Sequence, residues 1–153
     1  MKQALFFLFF SLFYSIPAFS TEIDGWEMNV SSKKEQEKIL FDDYVEMYTG
    51  EIERQIMEKI PEDGHVYVLY EMSVSKKDGN EVLEPSDFTL SVNGKNYERI
   101  MDDYFLLDFR LRPLTHLNVK LGSHVGYILF EIPESERKYP KALLYKDTLI
   151  EKE

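Results

Sequence analysis

Apolar and polar positions alternate over much of this chain, and the alternation sets the elements to expect. Trp26, Met28 and Val30 are spaced by Glu27 and Asn29, the period of a half-buried strand, and Asp24-Gly25 ahead of them reads as a turn. Pro61-Glu62-Asp63-Gly64 is a second turn signal, leading into the long β-rich run His65–Val74. Phe88, Leu90 and Val92 alternate with Thr89 and Ser91, and Asn93-Gly94 before Tyr97 is the strongest local hairpin signal. Leu117–Leu121 alternates again, Val125–Ile132 makes a long apolar strand stopped by Pro133, and Ala142–Tyr145 is a short strand before a charged tail. Short strands punctuated by turns predict an antiparallel sandwich or barrel. Trp26, Phe88, Phe130 and either Tyr67 or Leu69 are the expected centre of its core.

Residues 33–60 support two readings. Phe41, Tyr44, Val45, Tyr48, Ile52 and Ile56 fall at spacings of 3, 1, 3, 4 and 4, which is one face of a helix, and Ser32 with Glu35 forms a capping box ahead of it. Against this, Tyr44, Val45, Tyr48 and Thr49 favour strands, and Thr49-Gly50 suits a turn. The spacing predicts a helical insertion over 33–60, interrupted near Gly50.

The first twenty residues have a different character. Lys2 precedes an apolar run from Ala4 to Tyr14; Pro17 then breaks it, and Ala18 and Ser20 are the small residues of a cleavage site before Thr21. The run is short of the roughly 20 apolar residues of a membrane span. Residues 1–20 are therefore expected to be a signal peptide and 21–153 a single exported domain, secreted or periplasmic. No second apolar stretch of that length follows, so no membrane span is expected after cleavage.

Charge and cysteine count narrow the chemistry. The formal net charge is −10, and removing Lys2 with the leader makes it more negative. Phosphate binding needs a basic footprint, so nucleic acid is not an expected partner. With no cysteine, disulfides, thiol catalysis, cysteine-ligated zinc and lipid attachment behind the leader are excluded. The fold must rest on its hydrophobic core.

No arrangement predicts catalysis, a cofactor or a metal. His65, His116 and His124 are not spaced to converge on one ion, and the methionines are scattered as core filling usually is. Asp42-Asp43 and Asp102-Asp103 lack the loop pattern of a calcium site. Gly-x-Ser-x-Gly, His-Glu-x-x-His and phosphate-cradling glycine loops do not occur. The stretch that stands out is aromatic and basic: Tyr104, Phe105, Phe109, Arg110 and Arg112 have the composition of a protein-recognition surface.

Several of these segments together resemble a known family. The Trp26-led first strand, the Pro61-x-x-Gly64 turn into a long strand, Ser86-Asp87-Phe88 opening a hairpin with Gly94 and Tyr97, and Gly126–Pro133 are similar to exported telokin-like domains of unknown function. Their immunoglobulin-like sandwich is shared with a mycobacterial secreted immunoprotective protein. The likeness spans about 62–145, more loosely 26–30, and implies an immunoglobulin-like antiparallel β-sandwich without implying an activity. The expected role is a non-catalytic exported domain that binds a protein or a cell-envelope component. The alternative is a periplasmic accessory or chaperone-like protein using an open sheet edge.

Overall fold

The computed structural model describes residues 20–100, 105–107, 109–114 and 122–152. The leader up to Phe19, the strand expected at Leu117–Leu121, His116 and Tyr104 lie outside them. Eleven strands are described: β1 (Thr21–Ile23), β2 (Trp26–Gln36), β3 (Ile39–Glu46), β4 (Ile52–Lys59), β5 (His65–Lys76), β6 (Phe88–Val92), β7 (Lys95–Glu98), β8 (Phe105–Leu106), β9 (Ser123–Pro133), β10 (Lys141–Tyr145) and β11 (Thr148–Lys152). Among the described residues no helix is long and apolar enough to cross a membrane.

Two four-stranded sheets, ordered β1-β2-β5-β9 and β11-β10-β6-β7, have antiparallel pairing throughout and form a β-sandwich. Alternation assigns the core. Val66, Val68, Tyr70, Met72 and Val74 of β5 and Ile128, Phe130 and Ile132 of β9 face inward with Trp26 and Met28. Phe88, Leu90, Val92, Leu143 and Tyr145 meet them from the second sheet. The Phe130 ring meets Tyr70 edge-on at 6.2 Å between centroids.

The opposite parity of the first sheet is buried as well. Tyr67, Leu69, Tyr127 and Leu129 form a second core with Ile39, Phe41 and Leu106. These last three belong to a third sheet, ordered β4-β3-β8, which covers the outer face of the first. β5 and β9 thus have protein on both sides, which is why they read as nearly continuous apolar runs rather than clean alternations.

This third layer replaces the helix expected over 33–60. β2 continues to Gln36, past a register shift between Val30 and Ser32, and β3 and β4 pair along their whole length. The helical spacing fails because it does not mark the buried side chains. Phe41 is buried, but Tyr48, Ile52 and Ile56 are exposed, whereas Ile39 and Phe41 follow strand alternation into the second core. A helix draws most of its stability from a packed face, and this one would have had none. The β-favouring residues win, with Gly50 at φ 79° in the turn.

The turns follow their sequence signals. Asp24-Gly25 and Asn93-Gly94 have φ of 52° and 75° and of 50° and 76°, as two-residue hairpin loops require. The charged tail after Tyr145 is itself a strand, turned by Lys146 and Asp147, both also at positive φ.

Candidate functional site

The aromatic and basic segment picked out by composition is a tight hairpin at one edge of the third layer. Leu106 and Leu111 exchange backbone bonds, Leu106 N–H to Leu111 O at 2.9 Å and the reverse at 3.3 Å, and Arg110 takes φ 52° in the turn. The hairpin splits the expected residues. Phe109 packs on the rim of the second core beneath the Lys34 ammonium, 4.4 Å from its ring centroid. Arg110 is exposed at the turn. Phe105 and Arg112 come together, the guanidinium 5.8 Å from the Phe105 ring centroid.

Strand register carries this pair into a larger surface. Phe105 lies opposite Asp42 of β3, and Asp42 lies opposite Ile56 of β4, so the three share the outer face of the layer. By alternation Ile52 and Arg54 share it too. Arg54 grips Asp42 with two parallel bonds, Nε to Oδ1 at 2.9 Å and Nη2 to Oδ2 at 2.7 Å. Ile52 and Ile56, and Ile60 one residue past the strand, remain 72%, 66% and 65% exposed. Met47 and Tyr48 at the β3–β4 tip are exposed as well, and a shallow hollow runs from there along Glu51–Glu53. Helical spacing assigns Ile52 and Ile56 to a buried face and leaves Arg54 out of the pattern. The alternation of Ile52, Arg54, Ile56, Glu58 and Ile60 was the signal that finds them.

A backbone clamp fixes the Arg112 side of this face. Residues 112–114 run beside β9, with Tyr127 N–H donating to Arg112 O at 3.0 Å and Leu114 N–H to Tyr127 O at 2.9 Å. Gly126 permits the approach: a Cβ there would sit 2.9 Å from Leu114 N and 3.1 Å from Arg112 O.

His65 has neighbours that sequence spacing could not supply. One ligand atom each from Glu62, His65 and Glu131 lie within 4.8 Å of one another, the group among the described residues able to hold a cation. Its contacts already have a structural role. Glu131 accepts the Glu62 N–H at 2.6 Å, and His65 Nδ1 stands 3.2 Å from Asp63 O, which secures the Pro61–Gly64 turn against β9. Of the methionines, Met28 and Met72 fill the core as expected, whereas Met47 and Met57 are at the surface.

The groups with displaced pKa values also serve the scaffold. Bonds from Lys95 and then Tyr97 hold the buried Glu136 carboxyl below its ordinary value, while burial and Glu136 push Tyr97 up to about 12. Burial alone would raise Glu35, but its bonds to Lys141 and Arg137 bring it below the usual carboxylate range. Lys141 is itself buried, bonded to Glu35 at 2.8 Å and to the carbonyls of Arg137 and Tyr139.

No family model matches the chain, and no curated protein matches it. Solved structures do. A conserved hypothetical protein from Bacillus anthracis has a similar fold at 12% identity and TM-score 0.59, over 88% of this chain and 92% of that one. An uncharacterized β-sandwich protein from Clostridium difficile is similar at 12% identity and TM-score 0.51, over 86% and 87% of the two chains. At this identity the likeness is one of fold, and it places the chain among β-sandwich proteins.

Proposed function

We propose that this chain is an exported, non-catalytic recognition domain that takes a protein or a cell-envelope component on the outer face of its third layer. The observation that carries the reading is the row Phe105, Asp42, Ile56 across three strands, with Arg112 over the aromatic ring and exposed isoleucines beside it. Exposed apolar side chains set beside arginine and aromatic rings have the composition of a recognition surface. The leader pattern at 1–20, ending without a cysteine, supports secretion or release into a periplasm. The family resemblance supports an immunoglobulin-like, telokin-like base for the sandwich, to which β3, β4 and β8 add a layer.

The test is capture from the native cell envelope or medium by the protein from Thr21 onward, beside Arg112→Ala and Tyr48→Ala variants. Both positions are exposed, so melting should be unchanged while capture falls at least tenfold in one or both. Capture that is equal in all three proteins overturns the proposal.

The accessory or chaperone-like alternative draws on one observation, that among the described residues β4 is a sheet edge paired on one side, to β3. Strand addition uses main-chain bonds, so on that reading capture survives Arg112→Ala and is lost when Gln55→Pro or Ile56→Pro breaks the edge.

A further inference from the structure

We infer that β4 is a self-recognition edge: two copies of this chain pair through it, antiparallel, with Ile56 on the two-fold axis. The inference deepens the reading above by naming one partner of the third layer.

Unpaired strand edges invite pairing, and proteins usually keep them short or cover them. Here β1, β7 and β11, the ends of the two main sheets, have 3, 4 and 5 residues. β9 is flanked along its free side by Arg99 and Pro113, which bridge to Phe130 and Tyr127. β4 has 8 residues, ends the third sheet, and has β3 as its paired neighbour among the described residues. Among the described residues it is a sheet-end strand of full length with one side unpaired, and it carries the exposed isoleucines.

The order of side chains along β4 identifies the occupant. Residues 52–60 read Ile-Glu-Arg-Gln-Ile-Met-Glu-Lys-Ile. Laid antiparallel on a second copy about Ile56, Ile52 falls opposite Ile60, Glu53 opposite Lys59, and Arg54 opposite Glu58. Each of these pairs occurs twice by symmetry, and Ile56 meets itself. Every charge meets its opposite and every isoleucine an isoleucine. Directly opposed pairs of this kind stabilise a sheet, and like charges in the same positions destabilise it. A one-residue shift would oppose the two faces of the strand, so the nearest alternatives lie two residues away, and they set Ile56 opposite Arg54 or Glu58 and lose both the Arg54–Glu58 and Glu53–Lys59 pairs. The intrachain ion pairs of Arg54 and Glu58 leave both side chains at the surface. Arg54 holds Asp42 with its own side chain still 56% exposed, and Lys38 with Glu58 is an open surface pair. A two-fold interface of one surface with itself closes as a dimer.

Because the chain has no cysteine, cross-linking reports register directly. In the dimer, Ile52 of one copy is within disulfide reach of Ile60 of the other. The two Ile52 side chains lie roughly 26 Å apart, at about 3.3 Å per residue. The experiment uses the protein from Thr21 onward under mild oxidation. Ile56→Cys is expected to cross-link to itself. Ile52→Cys and Ile60→Cys are expected to cross-link when mixed and to stay single when alone. Sedimentation over a micromolar to millimolar series should show the wild type passing from one chain to two. Glu53→Lys should weaken that association at least tenfold, and adding Lys59→Glu in the same chain should restore it. A wild type that stays single throughout, or Ile52→Cys linking to itself as readily as to Ile60→Cys, overturns the inference. The Arg112→Ala and Tyr48→Ala capture comparison touches neither strand edge, so the wider recognition reading stands or falls separately.

Discussion

Gly126 and Leu114 are in backbone contact: a Cβ on the glycine would come within 2.9 Å of the Leu114 nitrogen. This close approach lets residues 112–114 lie along β9 and so sets where Arg112 meets Phe105. The neighbouring atoms are main chain and cannot rotate aside. Gly126→Ala should therefore cost about 1–3 kcal/mol in a urea titration. It should also weaken partner capture more than the stability loss explains, because it moves one side of the recognition face.

Lys146 and Asp147 make the β10–β11 turn at φ 46° and 61° with no glycine in it. Side chains in that region carry a steric cost that glycine does not. Asp147→Gly should raise stability by up to about 1 kcal/mol, seen as a melting temperature a few degrees higher. The Lys146–Asp24 ion pair at 2.8 Å leaves Lys146 as the poorer site for the same change.

Acid should weaken the fold through Glu136. Its folded pKa is below the ordinary 4.5, held there by Lys95 and Tyr97. In the window from that ordinary value down to the folded one, the unfolded chain binds the extra proton, so stability falls as pH falls. Glu136→Gln should flatten this part of the pH–melting curve while lowering stability near neutrality. An unchanged acid limb would remove Glu136 from the account.

Alkali acts on the same cluster with the opposite sign. Burial and Glu136 push Tyr97 from 10.0 up to about 12, so between those values the folded chain keeps a proton that the unfolded chain has lost. Stability should decline as pH rises through that interval, and Tyr97→Phe should reduce the decline.

Lys141 tests the buried ion pair. Its ammonium has Glu35 at 2.8 Å and two carbonyl acceptors around it. Lys141→Ala leaves those acceptors short of a donor and should cost about 2–3 kcal/mol by thermal or urea unfolding.

The main sandwich was legible because its signals are local. Asn93-Gly94 gave the β6–β7 hairpin, and the runs from His65 and Val125 gave β5 and β9. Trp26, Phe88 and Phe130 proved to be in the core, while Tyr67 and Leu69 serve the second core on the other face. The third layer is less legible because β3 and β4 bury little: with Ile52, Ile56 and Tyr48 in solvent, hydrophobic periodicity there reports something other than folding. The row that matters, Phe105 beside Asp42 and Asp42 beside Ile56, joins segments far apart in sequence, and only strand register brings them together.

The sheet containing β5 and β9 is enclosed above and below, and that has a consequence for how the molecule opens. Amides of β5 should be among the slowest to exchange hydrogen for deuterium, whereas the β3–β4 hairpin, docked through Ile39 and Phe41, should exchange early as a separate unit. Its departure would bare Tyr67, Leu69, Tyr127 and Leu129 while leaving the sandwich intact. Brief lifting of one hairpin would then expose a hydrophobic surface on an otherwise folded molecule.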